Sequence, residues 1–217
     1  MTPYYSDPMV TLYHARWEDV PPELLKAGLV LSDPPYGIAY NREAIPQGKH
    51  LPARRKQVLA VEGDDAPFDP APFIGGRAIL WGANCYADRL PASAVWLAWD
   101  KVTRNGLALR IGEAEFAWTN CVARTRIFRH LWSGGYRASD IDRDQFLHPT
   151  QKPVALMGWC LSLVPDARSV LDPFAGSGST LVAAKRRGIS SIGVECVERY
   201  CEVAADRCRQ EVLGLVG

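Results

Sequence analysis

The six cysteines of this 217-residue sequence, at positions 85, 121, 160, 196, 201 and 208, include no C-x-x-C pair. A zinc site is therefore disfavoured, and reduced, mostly buried thiols in a cytoplasmic protein are the expectation. No 18 apolar residues run uninterrupted, and the opening Met1-Thr2-Pro3-Tyr4-Tyr5 lacks a charged segment with an apolar run behind it. Neither export nor membrane insertion is expected. Net charge is also scarce: 25 Lys and Arg against 24 Asp and Glu leave +1. Nothing in the overall charge points to nucleic acid, so any basic surface must be local. Internal repeats and low-complexity tracts are missing too. Core material is abundant, with 47% hydrophobic residues, enough for one α/β domain.

The most informative stretch is Leu171-Asp172-Pro173-Phe174-Ala175-Gly176-Ser177-Gly178-Ser179-Thr180. Residues 168–171 read as a buried strand and 180–187 as a helix, so a glycine turn joins the two. Glycine there allows positive φ and lets the backbone lie against a ligand. The turn is either a cofactor cradle or a plain tight corner. A dinucleotide fingerprint requires Gly where Leu181 stands, and a phosphate loop requires Lys where Ser179 stands. Neither a nicotinamide cofactor nor ATP is favoured. Instead Asp172 stands at the strand end, and Glu195 ends the next predicted strand, Ser191 to Val194, where it suits ribose hydroxyls.

From the N-terminus, strands are expected at Val10–His14 and Leu29–Ser32, with a short helix at Pro22–Ala27 between them. The second strand ends in Asp33-Pro34-Pro35-Tyr36-Gly37, where two prolines hold the chain stiffly. The turn gathers a carboxylate, a carbonyl and an aromatic ring, which suits a planar heterocycle bearing an exocyclic amine. A strand-terminating turn with a packed Tyr is the plain alternative. Residues 38–57, carrying Lys49, Arg54, Arg55 and Lys56, read as a mobile loop. A helix is expected from Pro67 to Ile74, and strands at Ala78–Gly82, Ala94–Asp100, Glu115–Thr119 and Val122–Phe128. From Lys101 to Arg137, seven Lys or Arg face two acids, Glu113 and Glu115, a net of +5. Trp118, Phe128, Trp132 and Tyr136 are interleaved, so this is either a nucleic-acid surface or a charge-guarded hairpin edge. His148-Pro149-Thr150-Gln151-Lys152-Pro153 then leads into a predicted helix, Val154–Val164. Lys152 is expected near its N-terminus, suited to a carboxylate.

In this order, D-P-P-Y-G, W-G-A-N, W-D-K, H-P-T-Q-K-P and D-P-F-A-G-S-G-S-T make a chain that closely resembles the DNA amino-methyltransferases of the β arrangement. The resemblance runs from about Val10 to the C-terminal helix. It implies a three-layer, Rossmann-like α/β fold over residues 1–217, with a mostly parallel seven-stranded sheet, one antiparallel strand and a circularly permuted motif order. It implies S-adenosylmethionine as cofactor, double-stranded DNA as partner, a bacterial or phage-infected cytoplasm, and homodimers as one known arrangement. A restriction partner, a stand-alone enzyme and a phage-borne copy all fit this level of description.

The resemblance also implies roles. Asp172, Phe174, Gly176 and Gly178 match the cofactor loop, Glu195 the acid on the ribose, and Thr150 and Lys152 the segment near the methionine carboxylate. Asp33, Pro34, Pro35 and Tyr36 match the catalytic motif, in which Asp and the first Pro carbonyl accept the target amine while Tyr stacks on the extruded base. Arg124, Arg126, Arg129 and Arg137, with Lys49, Arg54, Arg55 and Lys56, suit DNA phosphates. No metal is implied. Carbon-5 methylation of cytosine needs a nucleophilic Cys, usually after Pro, and no Cys here follows Pro. Asp before Pro-Pro-Tyr favours adenine N6 over cytosine N4, the alternative. RNA or protein amide methyltransferases generally carry Asn in place of Asp33, and a catalytically silent cofactor- and DNA-binding module is the non-enzyme alternative. Target recognition falls between W-D-K and H-P-T-Q-K-P, here the short interval 102–147, so a short or loosely read DNA site is expected.

Overall fold

The computed structural model describes residues 1–37, 63–93, 95–101, 112–133, 136–137 and 151–213. The expected loop 38–57, with Lys49, Arg54, Arg55 and Lys56, lies outside them, as do His148 and Thr150. Eleven strands form among the described residues: β1 (Tyr5–Ser6), β2 (Val10–His14), β3 (Val30–Ser32), β4 (Ala78–Trp81), β5 (Trp96–Asp100), β6 (Ala114–Thr119), β7 (Arg126–Arg129), β8 (Trp132–Ser133), β9 (Tyr136–Arg137), β10 (Ser169–Asp172) and β11 (Ser190–Glu195). Three α-helices accompany them: α1 (Val154–Ser162), α2 (Ser179–Arg186) and α3 (Glu198–Leu213).

Nine strands make one sheet in the order β1-β2-β11-β10-β3-β4-β6-β5-β7, and β8 pairs with β9 apart from it. Its inner seven, β2 to β5 in that order, are the expected frame: six are parallel and β6 runs against both neighbours. The ends add two strands to that frame. Antiparallel β1 borders β2, and parallel β7 borders β5. The central β10 comes late in the chain yet lies beside the early β3, which is the permuted order in physical form.

Alternation along each strand divides the core. On β4 all four residues are buried, as a central strand covered on both faces requires. Ile79 and Trp81 join Leu12, Leu31, Leu97 and Val170 under residues of the three helices, such as Leu156, Leu181 and Ala204. Ala78 and Leu80 face the other way, toward Phe68, Phe73, Tyr86 and Trp118. On this second face, single turns of 3-10 helix stand where the sequence suggested helices, at Pro22–Leu25 and Ala71–Phe73. Proline bears on the second: Pro72 falls inside the expected 67–74 helix and removes a donor that an α-helix needs.

Direction positions the site. Because β3, β10 and β11 are parallel, Asp33, Asp172 and Glu195 all arrive at the carboxyl edge of the sheet, where open α/β sheets bind ligands. β6 runs the other way, so its beginning reaches that same edge, with Glu115 opposite Trp99 and Ala114 opposite Asp100.

Candidate active site

The glycine turn between β10 and α2 has the backbone that its sequence demands. Gly176 and Gly178 have φ of 51° and 79°. A Cβ on Gly178 would lie 2.8 Å from the Cβ of Ala204 on α3, so both dihedral and packing require glycine there. Asp172 accepts hydrogen bonds from Ser32 Oγ at 2.6 Å and from the Phe174 amide at 3.1 Å. Burial pushes its carboxyl up to about 6 despite those donors. Glu195 accepts the Gly176 and Val197 amides, each at 2.8 Å, and burial also raises its carboxyl.

A second group assembles around the Pro-Pro turn. Tyr36 Oη donates to Asp33 Oδ1 at 2.5 Å, and Lys152 Nζ donates to Asp33 Oδ2 at 2.5 Å and to Tyr36 Oη at 3.1 Å. Lys152 also lies 3.1 Å from Glu115 Oε2, and Glu115 Oε1 in turn binds Lys101. Burial raises the Asp33 carboxyl more than Lys152 lowers it. For Lys152, burial works against the ammonium, but Asp33 and Glu115 outweigh it and raise it. Glu115 is held low against its own burial by Lys152 and Lys101. The sequence suggested that Lys152 would stand free at the start of α1 for a carboxylate. Its ammonium instead turns to Asp33 and Glu115, the two anions that compensate its burial.

The two groups share one cleft. Asp33 and Lys152 line it together with Asp172, Phe174, Gly176 and Ser179 of the glycine turn. Gln151 Oε1, also in the cleft wall, is buried without a hydrogen-bond partner in the protein. An acceptor in that state is set for a donor supplied by a ligand.

The family described as DNA methylase, of the N6/N4 type, matches residues 87–206. This chain belongs to the N6/N4 DNA methylases. Type II methyltransferase M2.DpnII of Streptococcus pneumoniae is 34% identical over 84 residues, a match covering 38% of this chain and 31% of that relative. The chain thus spans under a third of the length of that curated relative. In fold, it is similar to the M1.HpyAVI–SAM complex, with a TM-score of 0.53, 22% identity and coverage of 92% of this chain and 98% of the other. It is likewise similar to the cytosine-N4-specific PvuII DNA methyltransferase, with a TM-score of 0.56, 16% identity and coverage of 94% and 88%.

Several features of this site are not legible in the sequence. Gly82, in the W-G-A-N segment, has φ of 68°, and a Cβ there would fall 1.8 Å from Cε1 of Tyr36. Glycine therefore makes room for the ring. Arg207 of α3 donates to Ser177 O at 2.7 Å and to Ser177 Oγ at 3.1 Å, holding the glycine turn from behind. From sequence alone, Glu115 is the start of a strand and an offset to basic charge. Two buried lysines, Lys101 and Lys152, required an anion, but neither could be known to be buried from sequence.

The expected DNA surface is partly rearranged. Arg124, Arg126 and Arg129 are exposed, on and just before the edge strand β7. Register places Arg129 beside Asp100 at the active edge and Arg126 beside Leu97, farther back. Arg137 is in β9. The aromatics are less available than their spacing suggested. Trp118 is 2% exposed, with its indole N–H on Pro91 O, and Phe128 packs against His130 and Trp159 at 5.4 and 5.2 Å. Both complete the core around the sheet.

Proposed function

We propose that this chain transfers a methyl group from S-adenosylmethionine to the exocyclic N6 of an adenine turned out of double-stranded DNA. The observation that carries this is the cleft that Asp33 and Lys152 line together with Asp172, Phe174 and Gly176 of the glycine turn. A methyl donor and an amine acceptor need such a shared space, because the reaction is an in-line transfer that depends on orientation. Membership in the N6/N4 DNA methylases supports the reaction class.

The residues present fit the cofactor. Glu195 keeps lone pairs for ribose hydroxyls, Asp172 supplies negative charge beside a cationic ligand, Phe174 an aromatic face, and Gln151 Oε1 an unused acceptor. Thr150, in the adjoining segment, belongs to the same proposal. When bound, the cofactor supplies a methyl group activated on a sulfonium.

The exocyclic amine is a poor nucleophile because its lone pair is delocalised into the ring. The Asp33 carboxylate and the Pro34 carbonyl, held by Pro35 and the stiff turn, accept its two hydrogens and favour the form whose lone pair is free. Tyr36 stacks on the base and offsets part of the few kcal/mol that extrusion costs. Arg124, Arg126, Arg129 and Arg137, with Lys49, Arg54, Arg55 and Lys56, hold phosphates. Adenine is preferred because Asp precedes Pro-Pro-Tyr. The same pair of acceptors serves cytosine N4.

Incubation with labelled S-adenosylmethionine and unmethylated DNA, followed by nucleoside mass spectrometry, tests this. N6-methyladenine is expected. N4-methylcytosine alone would overturn the choice of base, and cofactor binding without any transfer would overturn the enzyme. Asp33→Ala and Tyr36→Ala should lower transfer about a hundredfold or more while cofactor binding persists. Asp172→Ala and Glu195→Ala should weaken cofactor binding measured by calorimetry.

A further inference from the structure

Behind Asp33 lies a chain of alternating charge: Asp33, Lys152, Glu115, Lys101. The Lys152 and Lys101 side chains are 6% and 11% exposed, and their partners Asp33 and Glu115 13% and 24%. Apolar residues would serve stability alone at least as well as two buried lysines and their half-buried carboxylates. The antiparallel course of β6 delivers Glu115 to the catalytic edge, yet its contact with the Asp33 group runs through Lys152.

Each carboxylate oxygen of Asp33 already accepts one hydrogen bond, Oδ1 from Tyr36 and Oδ2 from Lys152. Each keeps a further lone pair. The strength of those lone pairs depends on how much of the carboxylate charge Lys152 neutralises. An ammonium that belongs to Asp33 alone draws on it fully, whereas one shared with Glu115, 3.1 Å away, draws on it less.

We propose that Glu115 is a positioning residue for methyl transfer: by sharing the Lys152 ammonium, it keeps Asp33 a strong hydrogen-bond acceptor for the target amine. This rests on the methyl-transfer reading above. The titratable groups around Asp33 come from several elements. They are Tyr36 from its own turn, Lys152 before α1, Glu115 on β6, Lys101 after β5, Asp172 ending β10, and Cys85 and Tyr86 after β4. Burial is the largest upward influence on the Asp33 carboxyl, Lys152 acts downward, and Glu115 acts upward. Removing the Glu115 charge must therefore lower the pH at which Asp33 takes its proton. Transfer needs the ionised carboxylate, so the acid limb of the rate profile must move to lower pH, even as the plateau falls.

The test is a kcat–pH profile of Glu115→Gln and Glu115→Asp beside the wild-type chain, with unmethylated DNA and saturating S-adenosylmethionine. For E115Q a plateau about tenfold lower is expected. Its acid limb should move down in pH and its cofactor KM stay within about twofold, while E115D returns toward wild type. Since E115Q leaves Lys101 without its anion, the pair E115Q/K101M is measured in parallel, with the same expectations if the single variant does not fold. An acid limb that stays in place, an unchanged plateau, or a loss carried by the cofactor KM would overturn the role of Glu115. A wild-type chain that binds cofactor and DNA but transfers nothing would overturn the methyl-transfer reading, and this role with it.

Discussion

Asp172 is a carboxylate kept where it is least comfortable. Its folded value of about 6 lies above the ordinary 3.8, so the folded chain binds the proton more tightly than the unfolded chain does. Ionised Asp172 thus costs stability above about pH 6, and the cost fades as pH falls through that value toward 3.8. Asp172→Asn, which keeps an oxygen for Ser32 and Phe174, should raise stability at pH 8 by up to about 3 kcal/mol. The gain should vanish near pH 4. The same variant should bind cofactor more weakly, a trade of function for stability that thermal melts and calorimetry read separately. Gly82 makes the opposite bargain. Gly82→Ala adds a carbon where the Tyr36 ring stands and forces a left-handed φ on a residue with Cβ. The φ alone costs about 1 kcal/mol, and transfer should fall as far as in Tyr36→Ala. Wild-type turnover in Gly82→Ala would show that Tyr36 need not sit there.

Elements were legible where periodicity and punctuation agreed. The buried runs around Leu31, Leu80, Leu97 and Val170 became β3, β4, β5 and β10, and the glycine turn met α2 within a residue of its expected start. The Val122–Phe128 strand came out shifted, as Arg126–Arg129, because alternation in a basic, exposed edge says little about register. Contacts that cross the sequence were not legible at all. Arg207 lies thirty positions from Ser177, and no local pattern marks a C-terminal arginine as the brace of a loop. It predicts a separable effect: Arg207→Ala leaves Asp33 and Tyr36 untouched but frees the glycine turn. Cofactor affinity should drop about tenfold, the worth of a lost hydrogen bond to a charged donor, while the rate at saturating cofactor holds. A fall in that rate with unchanged affinity would separate Arg207 from the cofactor turn.

For the molecule as a whole, the proposed DNA substrate leads to an expectation about how much sequence is read. If the chain acts on DNA as proposed, the interval 102–147 is its expected reader, and β6, β7, β8 and β9 all lie within it. β6 is inserted between β4 and β5 in the sheet, and β7 extends it, so much of the interval completes the fold. Direct readout of a base pair takes at least one well-held side chain and yields about 1 to 3 kcal/mol of discrimination. The exposed Arg124, Arg126 and Arg129 are better matched to phosphates, which bring affinity without sequence information and make it fall steeply with salt. Two of the four aromatics interleaved with the basic residues, Trp118 and Phe128, are committed to packing. Methylation mapped across genomic DNA in cells expressing the chain should therefore show a short or degenerate context, and binding to unrelated duplexes should weaken alike as salt rises. A homodimer would double the contacts, and modification confined to one fixed motif of about six base pairs would show that such a second reader exists.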